Sequence, residues 1–87
     1  MDRYIKIPID IVNNINLSNG AKILYGYLIS LSKKEGYSYA NNDYLKNELN
    51  VSKRTITKLI KELKNEKVIE ATNEHGKRKL YISSKVL

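Results

Sequence analysis

The feature that most constrains the fold is a short break between two helical patterns at residues 49–52. Before it, Leu45 and Leu49 lie four residues apart, as on one face of a helix. Ser52 is suited to cap a second helix, so only three or four residues join the two. An apolar stripe at positions i, i+3, i+4 and i+7 runs along that second helix: Ile56, Leu59, Ile60 and Leu63. This spacing predicts a helix-turn-helix at about residues 42–66.

The flanking segments predict a third helix and a small sheet. An earlier helix follows Ser18, its N-cap, with one apolar face made by Leu17, Ala21, Leu24, Leu28 and Leu31. "VIEAT" and "KLYIS" are separated by Gly76 and predict a β-hairpin at about residues 68–83. "RYIKIPI" alternates and predicts a short N-terminal strand, and "YSYA" predicts another. The fold class is α+β, a winged helix-turn-helix: a three-helix core with a C-terminal hairpin wing and a short N-terminal strand.

Three positions carry expectations about the backbone. Gly26 lies inside the first helix, where glycine costs about 1 kcal/mol relative to alanine, so we expect another element to approach closely there. Asn50 occupies the turn and tolerates a left-handed conformation. Lys67 stands where a helix commonly ends in glycine, which leaves the geometry of that helix end open.

Composition favours one soluble domain covering residues 1–87. The chain has no cysteine, which excludes disulfides and thiolate zinc sites and fits a cytoplasmic location. No apolar run is long enough for a signal peptide or a membrane span. His75 is the only histidine and has no clustered metal ligands or nucleophile. We therefore expect no enzyme activity, cofactor, metal, membrane contact or small-molecule substrate.

Positive charge is concentrated in the C-terminal part. The net charge is +7, with six basic and five acidic residues in positions 1–50 but ten basic and four acidic in positions 51–87. Such asymmetry is typical of proteins with a polyanionic partner, of which nucleic acid and anionic membrane are the main candidates. A solubilising lysine-rich surface would give the same totals.

The outer face of the second helix of the pair is the candidate nucleic-acid surface. At about 100° per residue, the side chains opposite the apolar stripe are Arg54, Thr57, Lys58 and Lys61. The N-terminal end, which enters the major groove first in such motifs, adds Ser52, Lys53 and Thr55. Arg and Lys can pair with guanine, while Thr can donate to a base or phosphate or place its methyl group against a thymine methyl. A solvated face would usually interleave acids, and residues 52–61 contain none.

A second basic cluster lies at the bend of the hairpin. Lys77, Arg78 and Lys79 follow Gly76 directly. On a wing tip these side chains would touch the phosphate backbone or enter the minor groove. The alternative is a charged edge that prevents strand-to-strand aggregation.

Four segments of the sequence resemble a known family. "LS..AK.LY..L", "YSYANNDYL", "L.VS.RT" and the leading "YIKIP" are similar to the winged helix-turn-helix domains at the N-termini of replication initiators from plasmids and phages of Gram-positive bacteria. The resemblance covers about residues 4–82. It implies DNA contact by Ser52, Lys53, Arg54, Thr55 and Lys58 and by the basic wing. Full initiators of this type continue into further domains, so we expect either a fragment or a small stand-alone regulator.

The expected function is sequence-specific binding of double-stranded DNA at a replication origin or operator of a plasmid, phage or other mobile element. Two alternatives are a stand-alone transcriptional regulator and a protein-interaction module, such as a phage-encoded inhibitor or replisome adaptor. A two-fold symmetric site would imply a homodimer, for which the N-terminal strand and its tyrosines are a candidate interface.

Overall fold

A computed structural model describes residues 4–83, which fold into four helices and a three-stranded antiparallel sheet. The helices are α1 (Ile9–Val12), α2 (Asn19–Ser32), α3 (Asn42–Leu49) and α4 (Lys53–Asn65). The strands are β1 (Tyr37–Ser38), β2 (Ile69–Glu74) and β3 (Lys77–Ile82). The predicted α+β class, helix-turn-helix and wing are all present.

Each of the three longer helices begins at a side-chain cap. Ser18 Oγ accepts a hydrogen bond from the Ala21 amide at 3.3 Å, and Ser52 Oγ accepts one from the Thr55 amide at 3.1 Å. Asn41 caps α3 through the Tyr44 amide at 2.8 Å. Such caps satisfy amides that have no partner in the first turn. The two predicted serine caps are confirmed.

One hydrophobic core joins the helices to the inner face of the sheet. The four residues of the predicted stripe on α4 are all buried, and Leu63 and Ile56 are fully so. They pack with residues of α2, α3, β2 and β3 in a single cluster that includes Leu24, Tyr25, Leu28, Leu45, Val68, Ile69 and Leu80. The burial of one face of α4 in this core forces its opposite face into solvent.

The predicted N-terminal strand does not form. Residues 4–8 are neither strand nor helix, and Arg3 lies outside the described residues. The alternating apolar side chains instead pack on α2, where a Cβ on Gly26 would lie 2.8 Å from Ile5 Cδ1 and 3.0 Å from Ile7 Cγ1. This confirms the close approach expected at Gly26. Residues 4–8 therefore offer no strand edge for the candidate dimer interface, while Tyr4 is exposed.

Helices α3 and α4 both end at a residue with left-handed backbone. Asn50 has φ 58° and Lys67 has φ 60°. After Lys67, the Val68 amide bonds to the Leu63 carbonyl at 3.2 Å, and the Lys67 amide bonds to the Lys64 carbonyl at 3.0 Å. These two bonds form a Schellman motif, in which glycine is the usual residue at the left-handed position. Lys67 therefore terminates α4 in the ordinary geometry but with a strained residue type.

Replacing Lys67 by glycine should stabilise the domain. A non-glycine residue pays about 1–2 kcal/mol in this conformation, and the greater freedom of glycine in the unfolded chain offsets part of that gain. We expect Lys67→Gly to raise the free energy of unfolding by about 0.5–1 kcal/mol in urea titrations. The matched control, Lys64→Gly inside the last turn of α4, should lower it. A Lys67→Gly protein less stable than the wild type would contradict this account.

The sheet has the order β1-β3-β2, so the central strand is β3. Ala71 and Ser38 both face Leu80 across the ladder. The two residues of the tight turn, His75 and Gly76, both have positive φ, at 53° and 76°. Such a two-residue loop matches the right-handed twist of a hairpin. The predicted wing with its bend at Gly76 is confirmed, and β1 matches the strand predicted from "YSYA".

Glu62 of α4 and Glu66, the residue after its end, bind the segment that leads into α2. The Glu62 carboxylate accepts hydrogen bonds from the Ser18 amide at 2.9 Å and the Ser18 hydroxyl at 3.0 Å. Glu66 Oε1 accepts from the side-chain amides of Asn14 and Asn16, both at 3.3 Å. The two carboxylates fix α4 against the N-terminus of α2, where a negative charge is favourable.

We expect Glu62→Ala to lower the free energy of unfolding by about 1 kcal/mol. The loss combines two hydrogen bonds to a charged acceptor with a favourable helix-end charge, reduced by partial solvent exposure. Glu70→Ala, an exposed position on β2, is the control and should change stability by less than about 0.5 kcal/mol. Equal effects of the two substitutions would refute a bracing role for Glu62.

Candidate nucleic-acid interface

The outward face of α4 carries the predicted base-contacting side chains together. All four residues placed opposite the buried stripe are exposed: Arg54, Thr57, Lys58 and Lys61. With Thr55 they line a shallow concavity of about 490 Å³ whose wall is mostly carbon. Long basic side chains thus surround an apolar strip formed by their own stems and the threonines. This combination suits contact with base edges, which present both polar atoms and thymine methyl groups.

The N-terminal end of α4 is held by hydrogen bonds and one ion pair. Ser52 Oγ lies 2.9 Å from Thr55 Oγ1, in addition to its cap bond. The Lys53 ammonium lies 3.3 Å from a carboxylate oxygen of Asp43 in the first turn of α3, and both side chains are about 60% exposed. At that exposure the pair contributes little to stability. Lys53 remains available to exchange Asp43 for another anion.

The hydroxyl group of Thr57 forms hydrogen bonds with other groups of the protein. Its hydroxyl lies 3.2 Å from the Lys53 carbonyl and 3.3 Å from Asn42 Nδ2. The second bond connects α4 to the first residue of α3. No local pattern predicts this bond, because Asn42 and Thr57 are 15 residues apart and neither belongs to an apolar pattern.

The basic residues of the wing have different surroundings. Lys77 is exposed, with its ammonium 5.9 Å from the centre of the Tyr39 ring. The Lys79 ammonium lies 2.8 Å from a carboxylate oxygen of Glu74 and 4.5 Å from the centre of the Tyr37 ring. The bond to Glu74 raises the pKa of Lys79. Lys77 is therefore better placed for a new anionic partner than Lys79.

Arg78 points to the opposite face of β3. Its guanidinium is half-buried and donates a hydrogen bond to the Ala40 carbonyl at 2.8 Å. Burial lowers the pKa of Arg78, although a guanidinium stays charged at neutral pH. Ala40 immediately precedes the cap of α3, so this bond ties the wing to the helix-turn-helix. This position favours a structural role for Arg78 over the predicted phosphate contact.

A groove lies between the wing and the N-termini of α3 and α4. Its volume is about 660 Å³, and its walls include Lys77 and Arg78 on the wing side and Lys53 and Asp43 on the helical side. Two ammonium groups thus border one open space, with a single carboxylate between the helices. A phosphate backbone passing here would meet positive charge from both the wing and α4.

Residues 4–83 show neither a metal cluster nor a membrane helix. No group of three or more acidic or histidine side chains in this part of the chain could hold a metal ion. The longest described helix, α2, has 14 residues, and none of the described helices can cross a bilayer.

The fold and this surface define a winged helix-turn-helix. A family model for the helix-turn-helix domain matches residues 16–66, more than half of the chain. The protein belongs to this family. No curated protein shows significant sequence similarity to it.

Three solved structures share the fold over nearly the whole of this chain. The match covers 76% of the length of each of them. A Rep protein in a Rep–DNA complex has 24% identity, a TM-score of 0.71 and 95% coverage of this chain. The N-terminal domain of a DNA-binding protein has 26% identity, a TM-score of 0.70 and 95% coverage. An MDR initiator has 29% identity, a TM-score of 0.67 and 93% coverage. The predicted resemblance to initiator N-terminal domains is confirmed.

Proposed function

We propose that this domain binds double-stranded DNA sequence-specifically, with α4 in the major groove and the wing on the adjacent backbone. The observation that carries the proposal is the outward face of α4. Three basic side chains, Arg54, Lys58 and Lys61, are exposed together on it, and no acid lies between residues 52 and 61. An α-helix with such a face fits the major groove, where arginine and lysine pair with guanine.

The proposal extends to the place of binding. A replication origin or an operator of a plasmid, phage or other mobile element is the expected site, and the likeness to an MDR initiator supports the origin. The domain would act in the cytoplasm as a binding module without catalysis. Binding as a homodimer is part of the proposal: Ile5 and Ile7 pack on the domain's own α2, while Tyr4 of the same segment is exposed and available for an interface.

The test is selection from a random duplex library, followed by affinity measurements on the selected duplex at several salt concentrations. We expect an enriched motif and a slope of log K against log salt near −0.9 for each phosphate neutralised. An inverted repeat in the motif would show two-fold binding, while a single half-site would show a monomer. Scrambled duplex of the same composition serves as the control.

Two outcomes would count against the proposal. If no motif is enriched and affinity is equal for all duplexes at moderate salt, the domain is not a sequence-specific binder. If in addition no salt-dependent binding exists, the alternative of a protein-interaction module is favoured.

A further inference from the structure

The hydroxyl of Thr57 has its proton engaged inside the protein. A threonine hydroxyl carries one proton, and Thr57 directs it to the Lys53 carbonyl at 3.2 Å. The oxygen also accepts a hydrogen bond from Asn42 Nδ2 at 3.3 Å. A base acceptor in the major groove would have to displace the backbone bond to obtain that proton. Thr57 is therefore a poor hydrogen-bond donor to DNA, although it lies on the exposed face.

This conclusion does not depend on the orientation of the Asn42 amide. The two ends of an amide are assigned from their partners. If the Asn42 oxygen faced Thr57 instead, the hydroxyl proton would be shared between that oxygen and the Lys53 carbonyl. In both orientations the proton stays within the protein.

The part of Thr57 that remains for DNA is its methyl group. Thr57 is exposed and lines the concavity of about 490 Å³ on α4, whose wall is mostly carbon. Arg54, Lys58 and Lys61 line the same concavity, and their charged ends can bind guanine or phosphate. An apolar spot beside such polar contacts matches the apolar group that a thymine presents in the major groove, its 5-methyl group.

We propose that Thr57 is a specificity-determining residue that contacts the 5-methyl group of a thymine through its own methyl group. The proposal rests on the proposed function, because it requires α4 to enter the major groove. It adds the chemical feature that this position selects, namely a 5-methylpyrimidine. The hydroxyl contributes indirectly by holding the side chain in place through Asn42 and Lys53.

The experiment uses the duplex selected from the random library, with each thymine replaced singly by deoxyuridine. This replacement removes only the methyl group and keeps base pairing. For the wild type we expect affinity to fall about four-fold at one position, the factor for losing one buried methyl-sized group, and to stay unchanged elsewhere. Thr57→Val keeps the methyl and should keep this dependence. Thr57→Ser lacks the methyl and should bind the thymine and uracil duplexes equally.

Thr72→Ser on β2 is the matched control, because it makes the same chemical change on an exposed residue outside α4. It should leave the uracil profile of the wild type intact. Circular dichroism of each variant confirms that the fold is kept.

The possible results separate this inference from the proposed function. A wild type that binds its site but loses nothing at any uracil position would overturn the methyl contact and leave DNA binding standing. The same holds if Thr57→Ser keeps the wild-type uracil profile, or if Thr57→Val, which keeps the methyl group, binds the thymine and uracil duplexes equally. If no duplex is selected at all, the proposed function fails, and this inference fails with it.

Discussion

Arg54→Ala should lower affinity for the selected duplex by about 1–3 kcal/mol and relax specificity at one base position. Arg54 lies in the first turn of α4, is exposed and forms one edge of the outward concavity. A bidentate arginine–guanine contact is worth this amount of discrimination against the wrong base. The measurement is the affinity for the selected duplex and for a set carrying all single base changes. Losses should be large for the selected duplex and small for non-specific DNA.

Lys64→Ala is the control for Arg54→Ala. Lys64 is also exposed on α4 but lies in its last turn, outside the concavity. It should change affinity by only a few tenths of a kcal/mol and should not alter base preference. Arg54 would lose its assigned role if its replacement weakened every duplex alike.

Arg78→Ala should reduce stability more than it reduces electrostatic binding. It removes a hydrogen bond from a charged donor to the Ala40 carbonyl, together with half-buried contacts. Hydrogen bonds to charged groups are worth about 1.5–3 kcal/mol, and partial exposure moves the expected loss to about 1.5–2 kcal/mol. Amide hydrogens of β3 should exchange faster, because the wing is no longer tied to the segment before α3. The salt dependence of DNA binding should change little.

Lys77→Ala provides the contrast to Arg78→Ala on the same strand. It should leave unfolding unchanged, weaken all duplexes alike and reduce the salt slope by about 0.9, the value for one phosphate. The phosphate contact predicted from sequence for Arg78 would be restored if Arg78→Ala behaved in this way instead. Arg78→Gln keeps a side-chain amide donor and should recover part of the lost stability.

Local sequence signals predicted most of the fold. Ser18 and Ser52 as caps, Asn50 in the turn, the stripe on α4 and Gly76 at the bend each act within a few residues of their own position. Their chemistry permits few backbone solutions, so the sequence around them is sufficient. The N-terminal strand failed for the opposite reason. The alternation of Ile5 and Ile7 indicates only that these side chains are buried on one side of an extended segment. It does not specify whether that segment pairs with a strand or packs on a helix, as it does here on α2.

Periodicity predicted which side chains of α4 face outward but not what their neighbours are. The bonds of Arg78 to Ala40 and of Glu62 to Ser18 span 38 and 44 residues. Such contacts depend on how the elements pack, which no local pattern specifies. Consequently we predicted one basic cluster from the sequence at Lys77, Arg78 and Lys79, although alternate residues of a strand point to opposite faces. In the structure Lys77 is exposed at the tip, Arg78 is hydrogen-bonded to the Ala40 carbonyl, and Lys79 is paired with Glu74.

The bond between Arg78 and Ala40 divides the wing into a fixed base and a free tip. The base is anchored by Arg78. The tip beyond it consists of the turn, His75 and Gly76, and the pair that flanks it, Glu74 and Lys77. Added residue pairs at the tip would lengthen the hairpin without shifting the register of the base. The reach of the wing can therefore be changed, by evolution or by design, separately from the outward face of α4.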